Sequence, residues 1–131
     1  MNSTSIDEHC MKVPGFTKKQ VQAYARASGD LNGIHIDEEQ ARANGLPGVI
    51  VHGLLTMACT SIPFIPLLEN GWHVSYFQTR FTGKVFLEEA LFIEWMPAET
   101  EEEKLFTLKV SKEDGTKVTE GIIELSRSKS M

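Results

Sequence analysis

Asp30 and His35 lie in the stretch Ser28-Gly29-Asp30-Leu31-Asn32-Gly33-Ile34-His35, and the pair His52-Gly53 follows further along the chain. Gly29 and Gly33 allow the backbone to fold tightly, so a carboxylate and an imidazole can face one point in space. Such a pair moves protons: it can hold a water molecule, take a proton from it, or deliver one to a substrate. Gly-Asp and Asn-Gly are also common turn formers, and His35 can equally be a satisfied core histidine. Spacing alone therefore leaves the functional and the structural readings about level.

The elements that must position these groups are marked on either side. Thr17-x-x-Gln20 is a capping-box signature, with Phe16 and Val21 at the two positions of a hydrophobic staple. Val21, Tyr24, Ala25 and Ser28 recur at helical spacing, and Gly29 stands where a left-handed C-terminal cap is wanted. This helix delivers Asp30 just past its end. A second short helix is predicted from Asp37 as N-cap, with Gln40 three residues on, to Asn44-Gly45; Asp37 is thereby assigned to capping rather than to catalysis.

Leu46-Pro47-Gly48 breaks the chain before Val49-Ile50-Val51 and the apolar segment Gly53 to Leu68. That segment is apolar on nearly every side and is expected as one buried helix roughly 24 Å long, kinked or broken near Ser61 to Phe64 by Pro63 and Pro66. The remainder changes period. Runs at Trp72 to Phe81, Val85 to Trp95, Leu105 to Ser111 and Lys117 to Leu125 read as strands, with Asp114-Gly115 as a hairpin turn and Pro97 to Glu103 as a loop. Cys10 to Val13 is a further candidate edge strand, Glu101-Glu102-Glu103 reads as solvated, and Ser126 to Met131 as a frayed tail. One helix wrapped by antiparallel strands is an α+β arrangement, with about five strands in the sheet.

A chain of 131 residues is one domain's worth, 1–131, and buries roughly two-thirds of the surface its unfolded form exposes. With 41% hydrophobic and 24% charged residues the composition is that of an ordinary globular protein, and no apolar run approaches a membrane span. Asp7, Glu8 and His9 occupy the place of a signal-peptide core, so a cytoplasmic location is expected. A net charge of -5 without clustered Lys or Arg argues against nucleic acid. Cys10 and Cys59 form neither a disulfide framework nor a zinc spacing, and with no His-x-x-x-His either, no metal is expected.

Ser28-Gly29-Asp30-x-Asn32-x-Ile34-His35-x-Asp37, followed by Ala41 and Ala43 and by Gly48-x-x-x-His52-Gly53, closely resembles the (R)-specific enoyl-CoA hydratases, or MaoC-like dehydratases. The likeness covers residues 16 to 61 well and the rest by pattern. It implies the hot-dog fold, a homodimer with active sites at the subunit interface, and reversible addition of water to a trans-2-enoyl thioester to give an (R)-3-hydroxyacyl thioester.

On that resemblance Asp30 and His35 are the acid/base pair, with the division of labour between them open. Gly53 supplies a backbone oxyanion donor at the helix start, and Asn32 and Ser61 position the substrate. Asn32 can equally hold its own turn. His52 is assigned to packing at the helix start, and His73 has no partner to name. No cofactor is implied beyond the coenzyme A or phosphopantetheine that the substrate carries; acyl carrier protein is a possible carrier. Residues binding that arm are not legible, and Arg80, Lys84 and Lys109 are the candidates for its phosphates.

Three departures stand out: Gly33 replaces a proline, Lys84-Val85 replaces Pro-Val, and Glu88-Glu89 replaces Gly-Asp. They leave acyl length open. The alternative to a hydratase is a hot-dog module that binds acyl thioesters without catalysis. A thioesterase is a weaker alternative, because residues 53 to 68 contain no carboxylate.

Overall fold

A computed structural model describes residues 5–7, 9–98 and 103–127. Six strands form one antiparallel sheet: β1 (Ser5–Asp7), β2 (Cys10–Val13), β3 (Trp72–Phe81), β4 (Leu91–Pro97), β5 (Glu103–Lys112) and β6 (Lys117–Arg127), ordered β1-β2-β4-β5-β6-β3. Five of them make up nearly all of the sheet, and three-residue β1 extends it, so β2 is not an edge as expected. With helices on one face, this is the α+β hot-dog arrangement.

The helical part begins as the sequence dictates. Helix α1 (Lys18–Ser28) carries the full capping box on Thr17 and Gln20, and Gly29 closes it at φ 79°, a left-handed conformation that glycine takes without penalty. Its buried face is Val21 and Ala25, and Phe16 packs against the same core. Asp37 caps α2 (Glu38–Ala43) by accepting from the Glu39 amide, which confirms its structural role.

The 53–68 segment breaks where the prolines predict, but it is not buried all round. Helix α3 (Gly53–Cys59) is followed by a 3-10 turn, Ile62–Phe64, and a short α4, Ile65–Leu68. Pro63 and Pro66 each stand in the first turn of a new helical piece, where a missing N–H costs no hydrogen bond. Nor is the segment wrapped on all sides. Thr56, Cys59, Thr60 and Phe64 are buried against the sheet, while Leu54 is 63% exposed and Ile65 44%.

The core lies between these helices and the inner sheet face, where Leu91, Ile93, Val110, Val118, Ile123 and Leu125 are completely buried. Pairing register fixes which side chains share that face. Phe81 stands opposite Thr119, and Thr119 opposite Val110, all facing inward; Arg80, Glu120 and Lys109 are likewise in line, on the outer face.

The strand expected from Val85 begins only at Leu91. Residues 85–90 instead form a loop pinned by contacts that include a bridge from Phe86 to Ile50, a bond from the Val51 amide to the Val85 carbonyl, one from the Phe86 amide to Glu89, and one from the Glu88 amide to the Phe16 carbonyl. Glu88 takes φ 65° there, a conformation most non-glycine residues avoid. Gly115 turns the β5–β6 hairpin at φ 88°. Ser126 and Arg127, expected to fray, pair with His73 and Trp72. Most of the expected 97–103 loop and the chain after Arg127 lie outside the described residues.

Candidate active site

The Asp30–His35 stretch is held by its own short polar side chains. Asp30 Oδ1 accepts from the Asn32 amide (3.3 Å), and Asn32 Oδ1 accepts from the Ile34 amide (3.2 Å), which caps a 3-10 turn at Gly33–His35. Asn32 thus performs the turn role. The turn is then sewn to the strand-like segment before α3: the Ile50 amide donates to the Ile34 carbonyl (3.1 Å), and His35 Nδ1 donates to the Ile50 carbonyl at 2.7 Å. A carbonyl can only accept, so Nδ1 carries the hydrogen and Nε2 of neutral His35 is left as a lone-pair acceptor.

His35 lines a cavity of about 190 Å³ together with Gly53, Thr56, Phe81, Lys84, Val85 and Thr119. Gly53 opens α3, where the first N–H groups have no partner within the helix. A seven-residue helix adds only a small dipole, so the donor strength there is that of the local N–H rather than of the long helix foreseen. A Cβ at residue 53 would lie 3.2 Å from the Phe81 ring, so any larger residue there would press on the cavity wall.

Asp30 is exposed and stands outside that lining, yet its carboxylate comes within 4.8 Å of ring nitrogens of both His35 and His52. His52, assigned from sequence to packing, is 2% exposed; its ring stacks on that of His35 with centroids 3.9 Å apart and planes 21° apart. The three residues thus form a cluster of potential metal ligands that linear spacing did not reveal. Its geometry suits a shared ion poorly. His35 Nδ1 and His52 Nε2 are engaged with carbonyls, and an ion about 2.0–2.1 Å from both remaining nitrogens would sit well out of the planes of two stacked rings.

The other predicted positions divide. Ser61 donates to the Ala58 carbonyl at 2.7 Å and does not line the cavity, because the chain leaves the α3 axis at Thr60. Arg80 and Lys109 belong to the outer sheet face, Arg80 4.0 Å from Glu120, so neither points toward His35. Lys84 is exposed and on the cavity rim. Sequence reasoning missed Thr56, Phe81 and Thr119 as lining residues. Thr56 lies one turn past His52 and was readable in principle; Phe81 and Thr119 meet the site only through β3–β6 pairing.

Comparisons with known proteins bear on the family and the fold. Residues 4–122 match the profile of the MaoC-like domain. The chain is 38% identical over 72 residues, 53% of its length, to 4% of the fatty acid synthase beta subunit TOXC of Cochliobolus carbonum. It is 36% identical over 85 residues, 61% of its length, to 9% of the peroxisomal hydratase-dehydrogenase-epimerase of Saccharomyces cerevisiae. The stretch shared with four curated relatives spans between 3% and 24% of their length. The (R)-hydratase from A. caviae involved in PHA biosynthesis superposes with a TM-score of 0.79 at 19% identity, over 98% of this chain and 100% of that one, which establishes the hot-dog fold. With its profile matched along nearly all of its length and its fold that of a hydratase, this chain belongs to the MaoC-like domain family.

Proposed function

We propose that this domain is an (R)-specific hydratase/dehydratase that reversibly adds water to a trans-2-enoyl thioester of coenzyme A or acyl carrier protein. The observation that carries the reading is the 2.7 Å bond from His35 Nδ1 to the Ile50 carbonyl, which leaves Nε2 bare beside a cavity shared with Gly53 and near the Asp30 carboxylate. In hydration, the base takes a proton from water as the water oxygen bonds to C3. The electron pair of the C2=C3 bond moves onto the thioester oxygen, where the Gly53 N–H stabilises it. The proton held by the Asp30/His35 pair then passes to C2, so the pair ends as it began. Dehydration runs the same steps backwards. No cofactor or metal takes part, and α3 and α4 offer no carboxylate for a thioesterase.

The working unit is a homodimer of this single domain, in the cytoplasm. Among the described residues, edge strand β3 has one side unpaired in the sheet order and exposes Val74, Tyr76 and Phe81 at 40%, 50% and 47%, an edge of the kind that pairs with another chain. Phe81 also lines the cavity, so a second copy on β3 would lie against the site. Light scattering at micromolar concentration should give twice 14.6 kDa, and a monomer would overturn this part.

The chemistry is tested by following the ultraviolet absorbance of conjugated enoyl thioesters of different lengths on both carriers. Asp30→Asn and His35→Gln should each lower turnover about 100-fold or more while circular dichroism stays native. The double variant should lose far less than the product of the single losses. Folded variants with nearly full activity would sink the catalytic assignment; a wild type inactive on the whole panel would favour a binding module.

A further inference from the structure

We propose that His52 is a positioning residue for this chemistry: one buried imidazole sets the His35 ring and the Asp30 peptide relative to each other and to Gly53. The catalytic purpose rests on the hydratase reading; the geometry does not. His52 occupies the N-cap of α3, where Ser, Thr, Asp or Asn is preferred, and its side chain makes no capping bond. It is 2% exposed, and its Nδ1 has no hydrogen-bond partner among the described residues. A buried, unsatisfied polar atom is costly, so the ring's value lies in its other contacts.

Those contacts converge on the site. His52 Nε2 donates to the backbone carbonyl of Asp30 at 3.2 Å, which fixes the Nε2–H tautomer and leaves Nδ1 as the bare acceptor. One face of the ring stacks on His35 at 3.9 Å, and Tyr24 of α1 meets the ring edge-on at 4.8 Å. The helix that delivers Asp30, the Asp30 peptide and the His35 ring are therefore gathered on the residue that precedes Gly53. Among the described residues one hydrogen bond holds the His35 ring, the Nδ1–Ile50 bond, about which the ring can still tilt. Stacking on a buried neighbour removes that tilt and keeps Nε2 aimed.

Three substitutions separate the two contacts. His52→Ala removes both; His52→Gln keeps a donor near the Nε2 position but no ring; His52→Phe keeps a ring but no donor. In His52→Ala, kcat per folded molecule should fall roughly 30- to 100-fold with KM changed less than about threefold, since a small misplacement of catalytic groups costs about that much. Gln and Phe should each recover about threefold or more. Independently of any substrate, ¹³C relaxation of the His35 ring C–H groups should report a rigid ring in the wild type and added ring motion in His52→Ala, while the Nδ1–H tautomer, held by the Ile50 carbonyl, persists in both. If His52 were only structural, the variants would melt earlier while kcat per folded molecule and the His35 signals stayed as in wild type. That result, in whichever variants fold, overturns the inference. A wild type inactive on every enoyl thioester, with the His35 ring still loosened in His52→Ala, overturns the hydratase reading and leaves the hold of His52 on His35 standing.

Discussion

Gly53→Ala tests the cavity wall and the proposed oxyanion donor with one methyl group. The added Cβ would stand 3.2 Å from two Phe81 ring carbons and 3.4 Å from a third, against an optimum of about 3.5–4.0 Å for carbon pairs. Closing that deficit needs the ring to withdraw by a few tenths of an ångström. Phe81 ends β3 and is 47% exposed, so it can do so cheaply. The backbone raises no objection either, because Gly53 is not among the glycines at positive φ, and alanine there restricts the unfolded chain by about 0.4–1 kcal/mol in favour of folding. Two small terms of opposite sign leave stability within about 1 kcal/mol and Tm within about 5 °C.

Activity should respond quite differently. The methyl projects into the 190 Å³ space that a thioester carbonyl must enter to reach the residue 53 N–H, and loss of one oxyanion donor typically costs 100- to 1000-fold in kcat. Hydration of a short enoyl thioester is the assay, with thermal melting alongside. Gly53→Ala/Phe81→Leu, which relieves the ring contact but leaves the methyl in place, should remain impaired. A folded Gly53→Ala protein with kcat within about threefold of wild type would refute both the donor role and the placement of substrate in this cavity.

The remaining predictions concern the cavity rim, the irregular loop and the buried thiol. Lys84→Ala should raise KM for coenzyme A thioesters in a way that fades at high salt, whereas Arg80→Ala and Lys109→Ala, on the outer sheet face, should not; equal effects from all three would argue for general charge instead. Glu88→Gly should stabilise the fold by up to about 1 kcal/mol in denaturant titration, because it removes a left-handed strain of about 1–2 kcal/mol and adds a smaller unfolded-state entropy; destabilisation would show that the Glu88 side chain matters more than its backbone. Burial pushes the Cys59 thiol up to about 11 from 9.0, so Cys59 in the native protein should resist thiol reagents at neutral pH. Because the folded value is the higher one, the associated stability is complete below pH 9 and is lost as pH rises toward 11, roughly 2–3 kcal/mol in all; Cys59→Ala should abolish this alkaline loss.

What the sequence disclosed and what it hid divide along the range of the interactions involved. Thr17, Gln20, Gly29 and Asp37 act on backbone a few residues away, and each does in the structure what its local chemistry demands. The grouping of Asp30, Asn32 and His35 was legible for the same reason: one compact turn holds them. The proline break was foreseen because Pro63 and Pro66 act on their own helical turn, but where it leaves Ser61 is decided by the turns that follow. Once the chain leaves the α3 axis at Thr60, Ser61 spends its hydroxyl on Ala58 and drops out of the cavity. Nothing in residues 53–68 states which face they bury, since that depends on a sheet built later in the chain.

Phe81 and Thr119 show the limit more sharply. Each is an unremarked member of a strand, and a slip of one residue in the β3–β6 pairing would send Phe81 or Thr119 to the outer face, beside Arg80 and Glu120. The site is therefore completed by strand register, a non-local quantity that no short motif contains. His52 stands between the two cases. Its position beside Gly53 was visible and its burial was foreseen, but a histidine at an N-cap without a capping bond reads locally as a weak choice. It becomes intelligible only when Asp30, His35 and Tyr24, on three different segments, are seen to close around the same ring. A residue that satisfies its neighbours in space while violating the preference of its place in the chain is the one whose replacement should change chemistry more than folding.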